Sequence, residues 1–307
     1  VTGVQTCALP IYTREISAVF SGTELAAYLQ ASSQQGALDP VLYRQVNLYA
    51  YRRFPHHLPF VRNLLAAYAN RATADPVEWE RLLRANWMYD DALRARFFEY
   101  LSRTRKLDAE LAALQSQTNA SPAAALWVAE AEAWKGHFES AAPLLTKLAA
   151  DFPADASLVT RAASIQRSLA AWEPARIDTA IKLEETLARA HPSDAAILTR
   201  LGEMEAERNS FVQAASHWDR IIGAAPGRAA GYLEAATLHW DYYQYAGALS
   251  RIAAARQRLG SSRLFAFEAG AIHENQGDLA AAAREYVAGA VEEGADSNSR
   301  RRLIRIA

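Results

Sequence analysis

PSDAAILTRLGEMEAERNSFVQAASHWDRIIGAAP, residues 192–226, decides the fold. Its bounding prolines, Pro192 and Pro226, are 34 residues apart, and the pattern between them returns at that period. Shifted by 34, the next copy runs from Ala229, with Tyr232, Ala235-Ala236, Ala248, Ile252 and Ala255 in register. Shifted again, the copy from Arg263 carries Ala269-Gly270, Gly277-Asp278-Leu279, Ala282 and Tyr286. Ala214, Ala248 and Ala282 are spaced by 34 and 34. The physical reason is close approach. Helices packed in a hairpin need Gly or Ala where their backbones come nearest, and bulky residues in the neighbouring turns to fill the space.

These residues resemble the tetratricopeptide (TPR) repeat, a helix–turn–helix unit of 34 residues. On that resemblance Leu201-Gly202 opens the contact face of helix A, Ala214 marks the crossing with helix B, Trp218 fills the interface and Pro226 ends the unit. The fold class it implies is all-α, a right-handed α-solenoid of antiparallel helix–turn–helix (TPR-like) repeats. No stretch reads as a strand, since runs such as Ala-Ala-Ala and Leu-Leu favour helix. Repeats are expected over about 122–155, 156–194, 195–228, 229–262 and 263–296. Pro122 to Pro153 carries Gly136-His137-Phe138, Ala141 and Leu148. Pro153 to Pro192 is 39 residues, five more than the period, and the excess sits near Trp172-Glu173-Pro174. Residues 12–121 read as diverged helical repeats, with a weaker copy from Asp91 through Phe97-Phe98 and Leu107-Asp108-Ala109. Asp39-Pro40 and Asp75-Pro76 each place an acidic N-cap before Pro at the first helical position, a helix-start signal.

Both ends are expected to need discounting. Residues 1–11, VTGVQTCALPI, resemble a translated sequencing-library adapter and are set aside as one sets aside a tag. Residues 297–307 have the phase of a further helix A without its helix B, so the expectation is an internal fragment of a longer protein. The single cysteine, Cys7, falls in the adapter-like segment, which excludes disulfides, zinc fingers and a thiol nucleophile from the rest. No apolar run reaches the roughly 18 residues that span a bilayer. The compartment is left open between cytoplasmic and periplasmic. A net charge of −1 argues against a general nucleic-acid role, which needs a basic face.

The resemblance also implies where partners bind: a concave groove lined by the A helices, at the second, fifth, ninth, twelfth and thirteenth positions of each repeat. From Ala195 these positions supply Thr199, Glu203 and Glu207. From Ala229 they supply Leu233, Thr237, Trp240 and Asp241. From Arg263 they supply Leu264, Phe267, Glu274 and Asn275. Such a groove is acidic with an apolar centre. It suits an unknown protein or peptide partner with basic flanks and an apolar anchor, and Trp240 and Phe267 are the candidate anchors. The competing reading packs those two rings between helices. Thr199, Glu203 and Leu233 stand where some relatives carry a Lys/Asn carboxylate clamp, so chaperone-tail binding is not expected. Asn298, Arg301 and Arg305 take groove positions in the last helix, where a solvated face competes with a basic, anion-binding end.

No cofactor, metal or catalytic site is expected. His239 and His273 are 34 apart, at the same place in successive units, and His56-His57 are adjacent. Neither pair has the i, i+4 spacing of a helical zinc site. There is no GxGxxG, Walker loop, GxSxG or HExxH, and Glu184-Glu185 and Glu292-Glu293 are adjacent on helices and face apart. The reading is a protein–protein interaction scaffold, not an enzyme. Two alternatives stand beside it: a substrate-recruiting repeat region of a larger enzyme or regulator, and an envelope or secretion-assembly component of the kind many bacterial repeat proteins are.

Overall fold

The computed structural model describes residues 20–34, 39–55, 57–71, 73–293 and 297–306, with the side chains of residues 33, 34, 292 and 293 outside that description. The adapter-like residues 1–11 and His56 lie outside the described residues. Among the described residues the chain forms seventeen α-helices, one short 3-10 turn and no strand. The chain divides into two compact units, residues 1–116 and 117–307.

The first unit holds α1 (Gly22–Gln34), α2 (Pro40–Arg53), α3 (Leu58–Ala69), α4 (Pro76–Asn86), α5 (Asp91–Arg103) and α6 (Leu107–Gln115). Asp39 accepts the backbone N–H groups of Val41 and Leu42 at 2.8 and 3.0 Å, and Asp75 accepts that of Glu78 at 3.1 Å. Each satisfies donors that the first helical turn leaves without an intrahelical partner. The core runs through Phe60, Leu64 and Leu65 to an aromatic cluster in which Trp87 stacks on Phe97 at 5.8 Å and meets Phe98 edge-on at 5.6 Å. Beside it Glu80 gathers Lys106 at 2.7 Å, Tyr100 at 2.5 Å and Arg84 at 3.0 Å. Burial pushes the Glu80 carboxyl up, but those three donors outweigh it and hold it at about 2.

The second unit is a run of hairpins: α7 (Pro122–Trp134) with α8 (Phe138–Asp151), α9 (Ala156–Leu169) with α10 (Arg176–Ala190), α11 (Ala195–Glu207) with α12 (Phe211–Ala224), α13 (Ala229–Asp241) with α14 (Tyr245–Leu259), and α15 (Ala266–Asn275) with α16 (Leu279–Glu293). Each further helix A packs on the preceding helix B, and α17 (Asn298–Ile306) closes the series on α16. The fold is therefore an α-solenoid of antiparallel, TPR-like hairpins.

Four A–B turns end alike. Gly136, Asn209, Tyr243 and Gly277 are left-handed, with φ of 84°, 62°, 60° and 81°. The following N–H donates to the carbonyl five residues back: His137 to Glu132, Ser210 to Glu205, Gln244 to His239 and Asp278 to His273, at 2.8–3.0 Å. This is the Schellman ending, which consumes a terminal helical carbonyl and reverses the chain. The α9–α10 turn differs. There the N–H groups of Trp172 and Glu173 both donate to Leu169 at 3.0 Å, and the chain runs on through Pro174 before α10 begins.

Within the hairpins, size is traded across the contact. A Cβ on Gly202 would stand 2.0 Å from Nε1 of the fully buried Trp218, and one on Gly270 would stand 2.6 Å from Cε1 of the fully buried Tyr286. The hairpin between them places Ala236 and Ile252 at the same two positions, both buried. Glycine is used where the facing side chain is aromatic, and alanine suffices where it is aliphatic. Ala214, Ala248 and Ala282 are fully buried at the crossings.

Candidate functional site

The C-terminal halves of α9, α11 and α13 bring charged side chains together. Arg167 on α9 donates through Nη1 to Glu203 at 3.0 Å and through Nε to both oxygens of Glu207 at 3.1 Å, and its Nη2 also bonds Glu207. Burial lowers the Arg167 pKa and the two carboxylates raise it further than burial lowers it. Asp241, one repeat on, is raised by burial and then by the charge of Glu203. Tyr242 is raised by burial and then by Glu203 and Glu207. Helix positions 34–40 residues apart in sequence thus share one electrostatic patch, with two carboxylates on one guanidinium and a third, Asp241, that feels Glu203.

The expected site residues fall into distinct environments. Thr199, Leu233 and Thr237 are half-buried on α11 and α13, Asp241 is exposed at the end of α13, and Asn275 is exposed at the end of α15. Glu203 and Glu207 are committed to Arg167, so this part of the face is an ion-pair network rather than a bare acidic strip. Trp240 is half-buried and packs against the cluster of Ala236, Ala248, Ile252, Ala269 and Ile272. Phe267 is half-buried and tilts over Tyr286 at 5.9 Å. Glu274 accepts the Tyr286 hydroxyl at 2.7 Å and pairs with Arg302 of α17 at 3.3 Å. Burial and that bond to Glu274 push the Tyr286 phenol up to about 12. Leu264 lies in the turn before α15, not on a helix. Phe265 adopts φ 58° and delays the helix to Ala266, and the Leu264 carbonyl accepts Nε of Arg256 at 2.9 Å.

Arg167 is the residue that sequence reasoning missed. Counting the twelfth groove position from Ala156 does find it, between Ser164 at the ninth and Ser168 at the thirteenth. These three side chains border an open cavity of about 560 Å³ that continues onto Ala171, Pro174 and Ile177 and reaches Glu207 at the end of α11 and Arg208 just beyond it.

The histidines play another part. His239 is buried, neither ring nitrogen has a hydrogen-bond partner among the described residues, and its ring meets the Trp218 indole edge-on at 4.9 Å. Burial, then Arg251, lower it to about 4. Among the described residues no group of three or more His, Cys, Asp or Glu side chains is placed to hold a metal ion. No described helix is long and apolar enough to cross a membrane.

Repeated hairpins with Schellman turns and a charged A-helix face define a helical-repeat protein with TPR-like architecture. No family model matches the chain, and no curated protein matches it. Similar solved structures include a crystal structure of MamA, 13% identical, TM-score 0.39, over 58% of this chain and 93% of that one. Another is MamA 41-end from Desulfovibrio magneticus RS-1, 15% identical, TM-score 0.36, over 55% of this chain and 94% of that one. A third is TTC0263, a thermophilic TPR protein of Thermus thermophilus, 16% identical, TM-score 0.33, over 61% of this chain and 98% of that one. The fold assignment rests on the chain's own period and helix pairing.

Proposed function

We propose that the second unit is a protein-interaction scaffold that receives a peptide or protein segment along the A-helix face of α9, α11, α13 and α15. The observation that carries this reading is the charge network of three successive A helices, in which Arg167 of α9 binds Glu203 and Glu207 of α11 and Asp241 of α13 feels the charge of Glu203; the half-buried Trp240 precedes Asp241 in the chain. Excess carboxylate there favours basic residues in the partner, and Trp240 offers an apolar neighbour for an anchoring side chain. The chemistry is recognition, with no catalytic step assigned.

The test is selection from a displayed random-peptide library on the purified protein, followed by titration against Asp241→Lys. Enriched peptides carry Lys or Arg flanking an apolar residue and lose about tenfold in affinity for the variant, a change of about 1.4 kcal/mol. Enrichment without basic residues, or equal affinity for both proteins, overturns the reading. Trp240→Ala is the weaker probe, because Trp240 packs against a core cluster and a loss of fold stability is part of its effect.

A further inference from the structure

Within the second unit, the α9–α10 hairpin departs from the 34-residue period, and its turn is built differently from the four Schellman turns. Trp172 at its tip is 77% exposed, although the turn is tied down by the Trp172 and Glu173 N–H bonds to Leu169, by Arg176 N–H to Glu173 at 2.9 Å and by the Arg176–Glu173 ion pair at 2.7 Å. An indole held in water on an ordered turn is a preorganised contact: the ordering cost is met before any partner arrives. The residues flanking Trp172 in the turn, Ala170, Ala171 and Pro174, together with Ile177 form an apolar side of the cavity of about 560 Å³.

Arg167, Glu207 and Arg208 line the cavity, and three ion pairs involve these residues or the turn, Arg167–Glu207, Arg208–Asp178 and Arg176–Glu173. In each the carboxylate is the outer partner: Glu207, Asp178 and Glu173 are 37, 52 and 56% exposed, against 30, 37 and 28% for their arginines. Arg167 also holds Glu203 and Arg208 also holds Glu205, so five carboxylates stand against three guanidiniums and an approaching group meets net negative charge beside an apolar surface.

We infer that the inserted turn is a second recognition element, in which Trp172 and the cavity beside it take a bulky aliphatic or aromatic side chain of a protein partner while the outward carboxylates hold an adjacent Lys or Arg. The occupant is an extended protein segment with an apolar–basic residue pair. This rests on the scaffold reading but not on Trp240 or Asp241. The hydroxyls of Ser164 and Ser168 stand on the α9 side of the cavity, where they can reach the segment's backbone.

The experiment is a peptide array in which a Gly/Ser host sequence varies two adjacent central residues through every pair, probed with the purified chain. The strongest retention is expected for Leu, Ile, Phe or Met next to Lys or Arg, with none for the same residues next to Asp or Glu. Trp172→Ala and the cavity-filling Ser168→Tyr each lower that signal at least tenfold, as loss of a Trp anchor does. Circular dichroism checks that both variants keep their helices; if Ser168→Tyr does not fold, Trp172→Ala alone decides, since its exposed ring supports no core. Asp241→Lys keeps the signal. Retention that ignores Trp172→Ala, or that prefers acidic pairs, overturns the inference. Loss with Asp241→Lys alone places the segment on the A-helix face, so the turn site fails while the scaffold reading stands. Failure of the scaffold reading shows separately, as a random library from which Asp241-dependent peptides do not emerge.

Discussion

Replacing Gly202 by alanine adds one methyl group where none fits. The new Cβ would lie 2.0 Å from Nε1, 2.4 Å from Cδ1 and 2.7 Å from Cε2 of Trp218, all far inside van der Waals contact. The indole is fully buried, against Ile221, Ala235 and Leu238, and has no free side to move toward. Overpacking of a dense core costs about 1–3 kcal/mol, and the upper end is expected here because a rigid ring, not a flexible chain end, must yield. Trp218→Ile alone opens a cavity and costs about 2 kcal/mol, part of the about 3–5 kcal/mol of full truncation. Together the two changes recreate the Ala236–Ile252 pairing of the next hairpin. The double variant is therefore expected to be at least about 1 kcal/mol more stable than the summed single costs. Urea unfolding followed by far-UV circular dichroism gives the cycle, and amide hydrogen exchange localises it to residues 195–224. Additivity within about 0.5 kcal/mol would refute the argument that size is traded across this contact.

Three further outcomes are expected. His239 titrates at about 4 in the folded chain and near 6.5 when unfolded, so as pH falls through that window the unfolded chain takes the proton first and stability drops, by about 3 kcal/mol at its lower edge. His217, also lowered by burial, adds in the same sense, and His239→Phe should flatten pH-dependent melting between those limits. Arg161 holds the carboxylate of Glu130, only 2% exposed, through bonds of 3.0–3.1 Å. Arg161→Met removes a charged partner of that buried carboxylate and should lower stability in chemical denaturation by about 1–3 kcal/mol, with most of the loss recovered by adding Glu130→Leu. Tyr243 sits at φ 60° with its side chain 77% exposed, so Tyr243→Gly should raise stability by about 1 kcal/mol; a decrease would mean that its edge-on contact with Tyr245, at 6.2 Å, outweighs the backbone strain.

The hairpins were legible because their cause is local. Ala214, Ala248 and Ala282 mark the crossings in sequence as they do in space, and Asp39-Pro40 and Asp75-Pro76 announce their own helices. What escaped depends on contacts between repeats or on single backbone choices. The extra residues around Trp172 put the α9–α10 repeat out of phase with its neighbours, which hid Arg167 and with it the neutralisation of Glu203 and Glu207. Nothing in Arg263-Leu264-Phe265 signals the left-handed Phe265 that removes Leu264 from its helix. A Schellman position favours Gly or Asn, so Tyr243 there reads from sequence as an ordinary helix residue. Trp240 stood between groove and core in sequence, and in the structure it is half-buried against the Ala236, Ala248, Ile252, Ala269 and Ile272 cluster.

The tightest contacts join residues that are close along the chain. Gly202–Trp218, Ala236–Ile252 and Gly270–Tyr286 each join residues 16 apart. Closing such short loops is entropically cheap, so each hairpin can form as soon as its own two helices have been synthesised. Folding can then follow translation, with each new helix A docking on a helix B already in place. An error introduced at one hairpin would then break docking at its two neighbours while the hairpins on either side still form.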